Sequence, residues 1–268
     1  MFRRFKSQKK ITEKTQPIIP SIIIETTEFL EENALDIEYI FRVPGRVTDV
    51  EELTKKFLNN DLTINLFTEN IHVVASVLKN YLRIREPPLI VFKLYRSFLK
   101  IEAKQEADKN EKLTKLLLML PEDNQIILKY IFKFLNKVAN HSDINKMNSS
   151  NLAVVFGPNI FRAKKSKIKQ EAKDFRSIQS LTKHFIDNCD EIFGKFEKLQ
   201  EELKPYALKK SQSYSATPPT KPRRQLFSSI SLPLNAKKQL FLEDAEDDEN
   251  LQMFSSISGL ISESMRQD

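Results

Sequence analysis

The chain has 268 residues, 43 Lys and Arg against 36 Asp and Glu for a formal charge of +7, one cysteine, four glycines and no tryptophan. Its 40% hydrophobic content can fill a substantial core, while a lone Cys189 excludes a disulfide framework and any cysteine-based zinc site. Gly45, Gly157, Gly194 and Gly259 stand apart, which excludes a glycine-rich phosphate loop, and no apolar stretch approaches the roughly 18 residues of a membrane span, so a soluble, cytoplasmic protein is expected.

Residues 1–14 carry six basic side chains and one acid, a net of +5. With Phe2 and Phe5 among those charges, this arm suits contact with an anionic membrane through residues 1–14, and peripheral attachment to the plasma membrane is expected. The charge does not point to nucleic acid: residues 15–204 net only +2, and no nucleic-acid-binding motif accompanies them.

From Pro17 to Lys204 the spacing of apolar residues is helical. His72–Arg85 places Val73, Val74, Val77, Leu78, Tyr81 and Leu82 on one face. Ile126, Ile127, Tyr130, Ile131, Phe134, Leu135 and Val138 repeat the pattern after Pro121, with Glu122 and Asp123 suited to the positive end of a helix dipole. Asn148-Ser149-Ser150 offers N-cap chemistry to a helix that Gly157-Pro158 is expected to end, leaving Asn159 just outside. Ser177–Phe193 reads as one further amphipathic run, with Cys189 near its end. No alternating strand pattern appears. The expectation is an all-α fold: a basic arm (1–16), one helical domain (17–204) and a disordered tail (205–268).

The tail is rich in Ser and Pro, holds eight charges of each sign, and contains the acidic run Glu243–Glu249. Such a composition buries too little apolar surface to offset its ordering entropy. Pro219-Thr-Lys-Pro222-Arg-Arg224 within it has the pattern of a polyproline-II ligand for a proline-motif-binding domain.

Self-contained catalysis is not suggested. His72, His141 and His184 are far apart in the sequence, and most carboxylates fall on solvated helix faces. Two segments stand out. Ile40-Phe-Arg-Val-Pro-Gly45 sets Arg42 between apolar residues that would pack and hold the backbone while the guanidinium projects. Asn145–Arg162 combines capping residues, a helix and Asn159.

IFRVPG (Ile40–Gly45), LKNYLR (Leu78–Arg83), LPEDNQIILKYIFKFL (Leu120–Leu135) and NKMNSSNLAVVFGPNIFR (Asn145–Arg162), in this order and spacing, resemble the RhoGAP domain, the activating module for Rho-family small GTPases. The resemblance runs from about Pro17 to Phe196. It implies a helical domain that accelerates GTP hydrolysis by a Rho-family small GTPase in its GTP-bound state and thereby switches off signalling. Arg42 would be the arginine finger; Lys79 and Arg83 would support its loop and contact the GTPase, and Asn159 would bind at the same interface. No cofactor of its own is implied, because GTP and Mg²⁺ belong to the partner. Two departures bear on this. Tyr39 replaces the family's usual glycine before the finger triplet, and Leu82–Leu89 reads LRIREPPL rather than LRELPEPL. They keep open a second reading, a binding module that reads the GTP-bound state without accelerating hydrolysis. The basic stretch Arg162–Lys169 lies where it would steer an acidic partner or face a membrane.

Overall fold

The computed structural model describes residues 19–104, 107–163 and 168–213, without the side chains at 104, 168–173 and 203–213. The basic arm, Pro219–Arg224 and the acidic run lie outside the described residues, and Arg162–Lys169 falls largely outside them. Among the described residues every regular element is helical.

Pro20 precedes α1 (Ser21–Asn33), which buries Ile22, Ile23 and Leu30. Thr26 and Thr27 are buried beside them because their hydroxyls donate to the Ile22 and Ile23 carbonyls one turn back, at 2.5 and 2.7 Å. α2 (Val47–Leu58) and α3 (Ile71–Ile84) follow. Asn70 caps α3 by accepting from the His72 N–H at 2.8 Å. Five of the six apolar residues expected on the inner face of α3 are buried, with Tyr81 at the margin.

α4 (Tyr95–Lys104) and α5 (Lys109–Met119) lead to α6 (Glu122–Asn140), which begins directly after Pro121 as its sequence signals. α6 buries Leu128 and Phe132 in addition to the expected Ile127, Ile131, Phe134, Leu135 and Val138. That width lets it touch α1, α5, α8, α9 and α10 once the remaining helices are in place: α7 (Ser142–Asn145), α8 (Ser149–Ile160), α9 (Ile168–Asp187) and α10 (Cys189–Ser213). Phenylalanines fill the space around α6. Phe132 stacks on Phe185 at 4.8 Å between centroids, and Phe98, Phe161 and Phe193 lie within 6.5 Å of Phe185.

Three expectations about helix ends are corrected. Gly157-Pro158 does not terminate α8, which continues to Ile160 with Pro158 inside it. The missing Pro158 N–H removes one bond near the C-terminus, and the chain resumes with the Phe161 N–H donating to the Gly157 carbonyl at 2.8 Å. Gly157 serves packing instead: a β-carbon there would stand 2.9 Å from Ile178 Cγ2 and 3.0 Å from Thr182 Oγ1, so its absence lets α8 and α9 approach closely. Ser177–Phe193 is two helices, broken at Asn188. The Asn188 amide donates to the His184 carbonyl at 3.0 Å, and the Asn188 carbonyl accepts from Ile192 at 3.0 Å in the next helix. Cys189 therefore starts α10 rather than ending a helix. α10 runs through Lys204 to Ser213.

Candidate functional site

Arg42 sits in a turn between α1 and α2 whose backbone is fixed from three directions. Ile40 and Phe41 are each 1% exposed, so the residues before the arginine are core. The Phe41 ring meets Phe156 of α8 edge-on at 4.9 Å and Phe134 of α6 at 5.9 Å. From α3, Lys79 Nζ donates to the Phe41 carbonyl at 2.5 Å. From the end of α7, the Asn145 carbonyl accepts from the Tyr39 N–H at 2.7 Å. Arg42 itself is exposed, with its guanidinium carbon 5.7 Å from the Tyr39 ring centroid.

The turn needs an unusual backbone. Tyr39 has φ 57° and Phe41 φ 69°, both in the left-handed region. At position 39 the resemblance expects glycine, the residue that adopts this conformation most freely; here a tyrosine adopts it. Downstream, Gly45 is required by close approach: an added β-carbon would lie 2.6 Å from Val73 Cα and 2.9 Å from the His72 carbonyl. Its N–H donates to Ser76 Oγ at 3.0 Å, tying the far end of the turn to α3.

Lys79, Arg83 and Asn159 all border one open groove of about 350 Å³ between the start of α2, the outer face of α3 and the end of α8, together with Gly45, Val47 and Asn80. The i, i+4 spacing of Lys79 and Arg83 does put them on one helix face. Lys79 is half-buried, and burial lowers the pKa of its ammonium. Arg83 is exposed and donates to Asn80 Oδ1 at 2.8 Å, while Asn80 donates to Thr54 Oγ1 of α2 at 3.2 Å. Asn159 lies within the last turn of α8 rather than beyond it, and its Nδ2 donates to the Val155 carbonyl at 2.8 Å. Arg42 does not line the groove; it stands on the neighbouring turn.

Two structural residues escape the sequence reading. Asn145 is fully buried. Its Nδ2 donates to the Leu35 carbonyl at 2.7 Å and the Val138 carbonyl at 3.0 Å, and its Oδ1 accepts from the Met147 N–H at 2.7 Å. It thus joins the arginine turn to α6 and to the start of α8. Its place at the head of the NKM segment was visible, but its partner Leu35 lies 110 residues away. Arg162 is the second. It donates to the Arg85 carbonyl at 2.5 Å and to Glu86 Oε1 at 3.0 Å, so the LRIREPPL stretch is tied to the end of α8. Asn124 of α6 holds the same stretch from beneath, donating to the Pro88 and Leu89 carbonyls at 3.1 and 2.9 Å.

Fold and site together define an all-helical module whose polar groups converge on an open groove beside a braced, arginine-bearing turn. The sequence pattern of the RhoGAP domain matches residues 20–165, and the chain belongs to that family. It is 34% identical over 194 residues to Rho GTPase-activating protein gacN of Dictyostelium discoideum, covering 72% of this chain and 32% of that one. It is 36% identical over 182 residues to Rho GTPase-activating protein 1 of Homo sapiens, covering 66% and 40%. The crystal structure of the BH domain from GRAF, the GTPase regulator associated with focal adhesion kinase, superposes with a TM-score of 0.60 at 27% identity, covering 67% of this chain and 96% of that one. Human Rho GTPase activating protein 15 gives 0.61 at 26% identity, covering 66% and 84%. The chain spans about a third to two fifths of the length of these two curated relatives. Among the described residues no helix is long and apolar enough to cross a membrane.

Proposed function

We propose that this domain binds a Rho-family small GTPase in its GTP-bound state and accelerates GTP hydrolysis by inserting Arg42 beside the β- and γ-phosphates. The observation that carries this reading is the contrast within three residues: Ile40 and Phe41 are core, while Arg42 is exposed on a turn braced from α3 and α7. Phosphoryl transfer spreads negative charge over oxygens and asks for positioning and electrostatic stabilisation rather than covalent chemistry. A guanidinium stays charged at any working pH and donates in parallel to two oxygens. A rigid backbone under it limits the entropy lost when the side chain inserts. Lys79 braces the turn, Arg83 and Asn159 meet the GTPase at the groove, and the partner brings both nucleotide and Mg²⁺. The basic arm, residues 1–14, would add attraction to the anionic membrane where such partners reside, and Pro219–Arg224 would recruit a proline-motif-binding domain.

The test is single-turnover GTP hydrolysis by a panel of Rho-, Rac- and Cdc42-type GTPases at saturating domain. An arginine supplied in trans contributes on the order of 10³–10⁵ in rate in the Ras system, and a loss of this order is expected for Arg42→Ala in the responsive pair. Acceleration that survives Arg42→Ala would remove the finger from the mechanism. Tight binding with no acceleration for any member would replace this reading with a module that only reads the GTP-bound state.

A further inference from the structure

We propose that Tyr39 is a positioning residue for Arg42: its ring is a platform that holds the guanidinium in the plane from which it donates. The inference rests on the finger reading and extends it to a residue outside the groove.

The Arg42 guanidinium carbon lies over the Tyr39 ring, 5.7 Å from its centroid, within the range of a cation–π contact. All five N–H donors of a guanidinium lie in its plane. Held against the ring by its face, the guanidinium would keep every donor free for phosphate oxygens while a long, flexible side chain loses freedom. The two residues belong to one turn: the Tyr39 carbonyl accepts from the Arg42 N–H at 2.9 Å and from the Val43 N–H at 3.1 Å. That turn is anchored through Asn145 and Lys79. Platform and guanidinium are thus carried by one anchored turn. At φ 57° the tyrosine is left-handed, a conformation disfavoured for any residue with a β-carbon. A side chain is kept there, 39% exposed, where it contacts the one exposed arginine of the turn.

Four variants test this with the responsive GTPase: Tyr39→Leu, Tyr39→Gly, Tyr39→Phe, and Tyr39→Leu combined with Arg42→Ala. Leucine removes the ring and keeps a side chain that is not branched at Cβ at the strained position; glycine removes the ring and the strain together. Both are expected to lower the saturating single-turnover rate about two- to fivefold, the scale of an exposed cation–π contact. Affinity for the GTPase loaded with a non-hydrolysable GTP analogue should stay within about twofold, because the contact acts on the finger rather than on docking. Tyr39→Phe should retain the wild-type rate. In the Arg42→Ala background, Tyr39→Leu should change nothing further. Wild-type or faster hydrolysis by the leucine or glycine variant would overturn the proposal, as would a rate loss in Tyr39→Phe or an undiminished leucine effect without Arg42. If Arg42→Ala itself retains full acceleration, the finger reading fails; if only the Tyr39 variants are neutral, that reading stands and the platform alone is removed.

Discussion

Lys79 of α3 donates from its ammonium to the carbonyl of Phe41, 38 residues earlier, and so holds the residue immediately before Arg42. Phe41 itself is left-handed, with φ 69°. A side chain that the family resemblance places toward the GTPase is thus also a structural brace.

Lys79→Met removes the brace but keeps the aliphatic stem. Without the brace the turn under Arg42 loses this tie to α3, and because a small misplacement of a catalytic group is costly, the saturating rate of GTP hydrolysis should fall roughly tenfold or more. Stability should change by less than about 1 kcal/mol, because the half-buried ammonium already carries a desolvation cost that methionine relieves. Urea midpoints measured beside single-turnover rates check both halves; a large loss of stability would show that Lys79 acts mainly on folding.

Asn145→Ala leaves the Leu35 carbonyl and the Met147 N–H without their side-chain partner, while the Val138 carbonyl keeps the His141 N–H as a donor. Each unsatisfied buried group costs about 1–3 kcal/mol. A destabilisation of about 2 kcal/mol or more is expected in equilibrium unfolding, with loss of activity even where the variant remains folded. A neutral result would mean that water replaces the amide at the Leu35 carbonyl and the Met147 N–H.

Gly45→Ala forces a β-carbon against backbone atoms of α3, at 2.6 Å from Val73 Cα. Backbone does not yield as a flexible side chain does, so the turn must move. The expected outcome is a loss of at least about 2 kcal/mol together with reduced GTPase activation. Gly157→Ala meets side chains instead, Ile178 Cγ2 and Thr182 Oγ1. It should cost less, about 1–2 kcal/mol, since alanine's helix preference offsets part of the overlap. Thermal unfolding of the two variants side by side tests the order.

His184 gives a pH dependence. Its Nε2 lies 2.6 Å from Asn110 Oδ1. Burial first, and the Lys109 charge second, lower its pKa below the ordinary value of 6.5. The unfolded chain therefore binds the proton more readily than the folded one. Well above pH 6.5 both forms are neutral and nothing is lost; as pH falls through 6.5 and on through the folded-state pKa, stability declines and then levels off. Urea unfolding between pH 8 and pH 5 should show this fall, and His184→Gln should flatten it. An unchanged slope in the variant would assign the fall to carboxylates.

The sequence was most informative where local chemistry decides the structure. The start of α6 after Pro121 and the Asn148 cap on α8 depend on residues within a turn of each other, as does the shared face of Lys79 and Arg83. It was least informative at Gly157-Pro158 and Asn188. At the first, glycine's usual meaning of helix termination yields to the close approach of α9; at the second, one asparagine divides an unbroken amphipathic pattern.

Taken alone, the sequence determined the all-helical character, the family signature and which arginine stands between apolar neighbours, because spacing and residue type along one chain carry those properties. Tertiary structure decided that Phe41 enters a slot between Phe134 and Phe156, that Asn145 ties the turn to two helices, and that Tyr39 takes a left-handed backbone with its ring beneath Arg42. Most of these links join atoms dozens of residues apart. Their geometry is set by how helices close on a shared core, which no local pattern encodes.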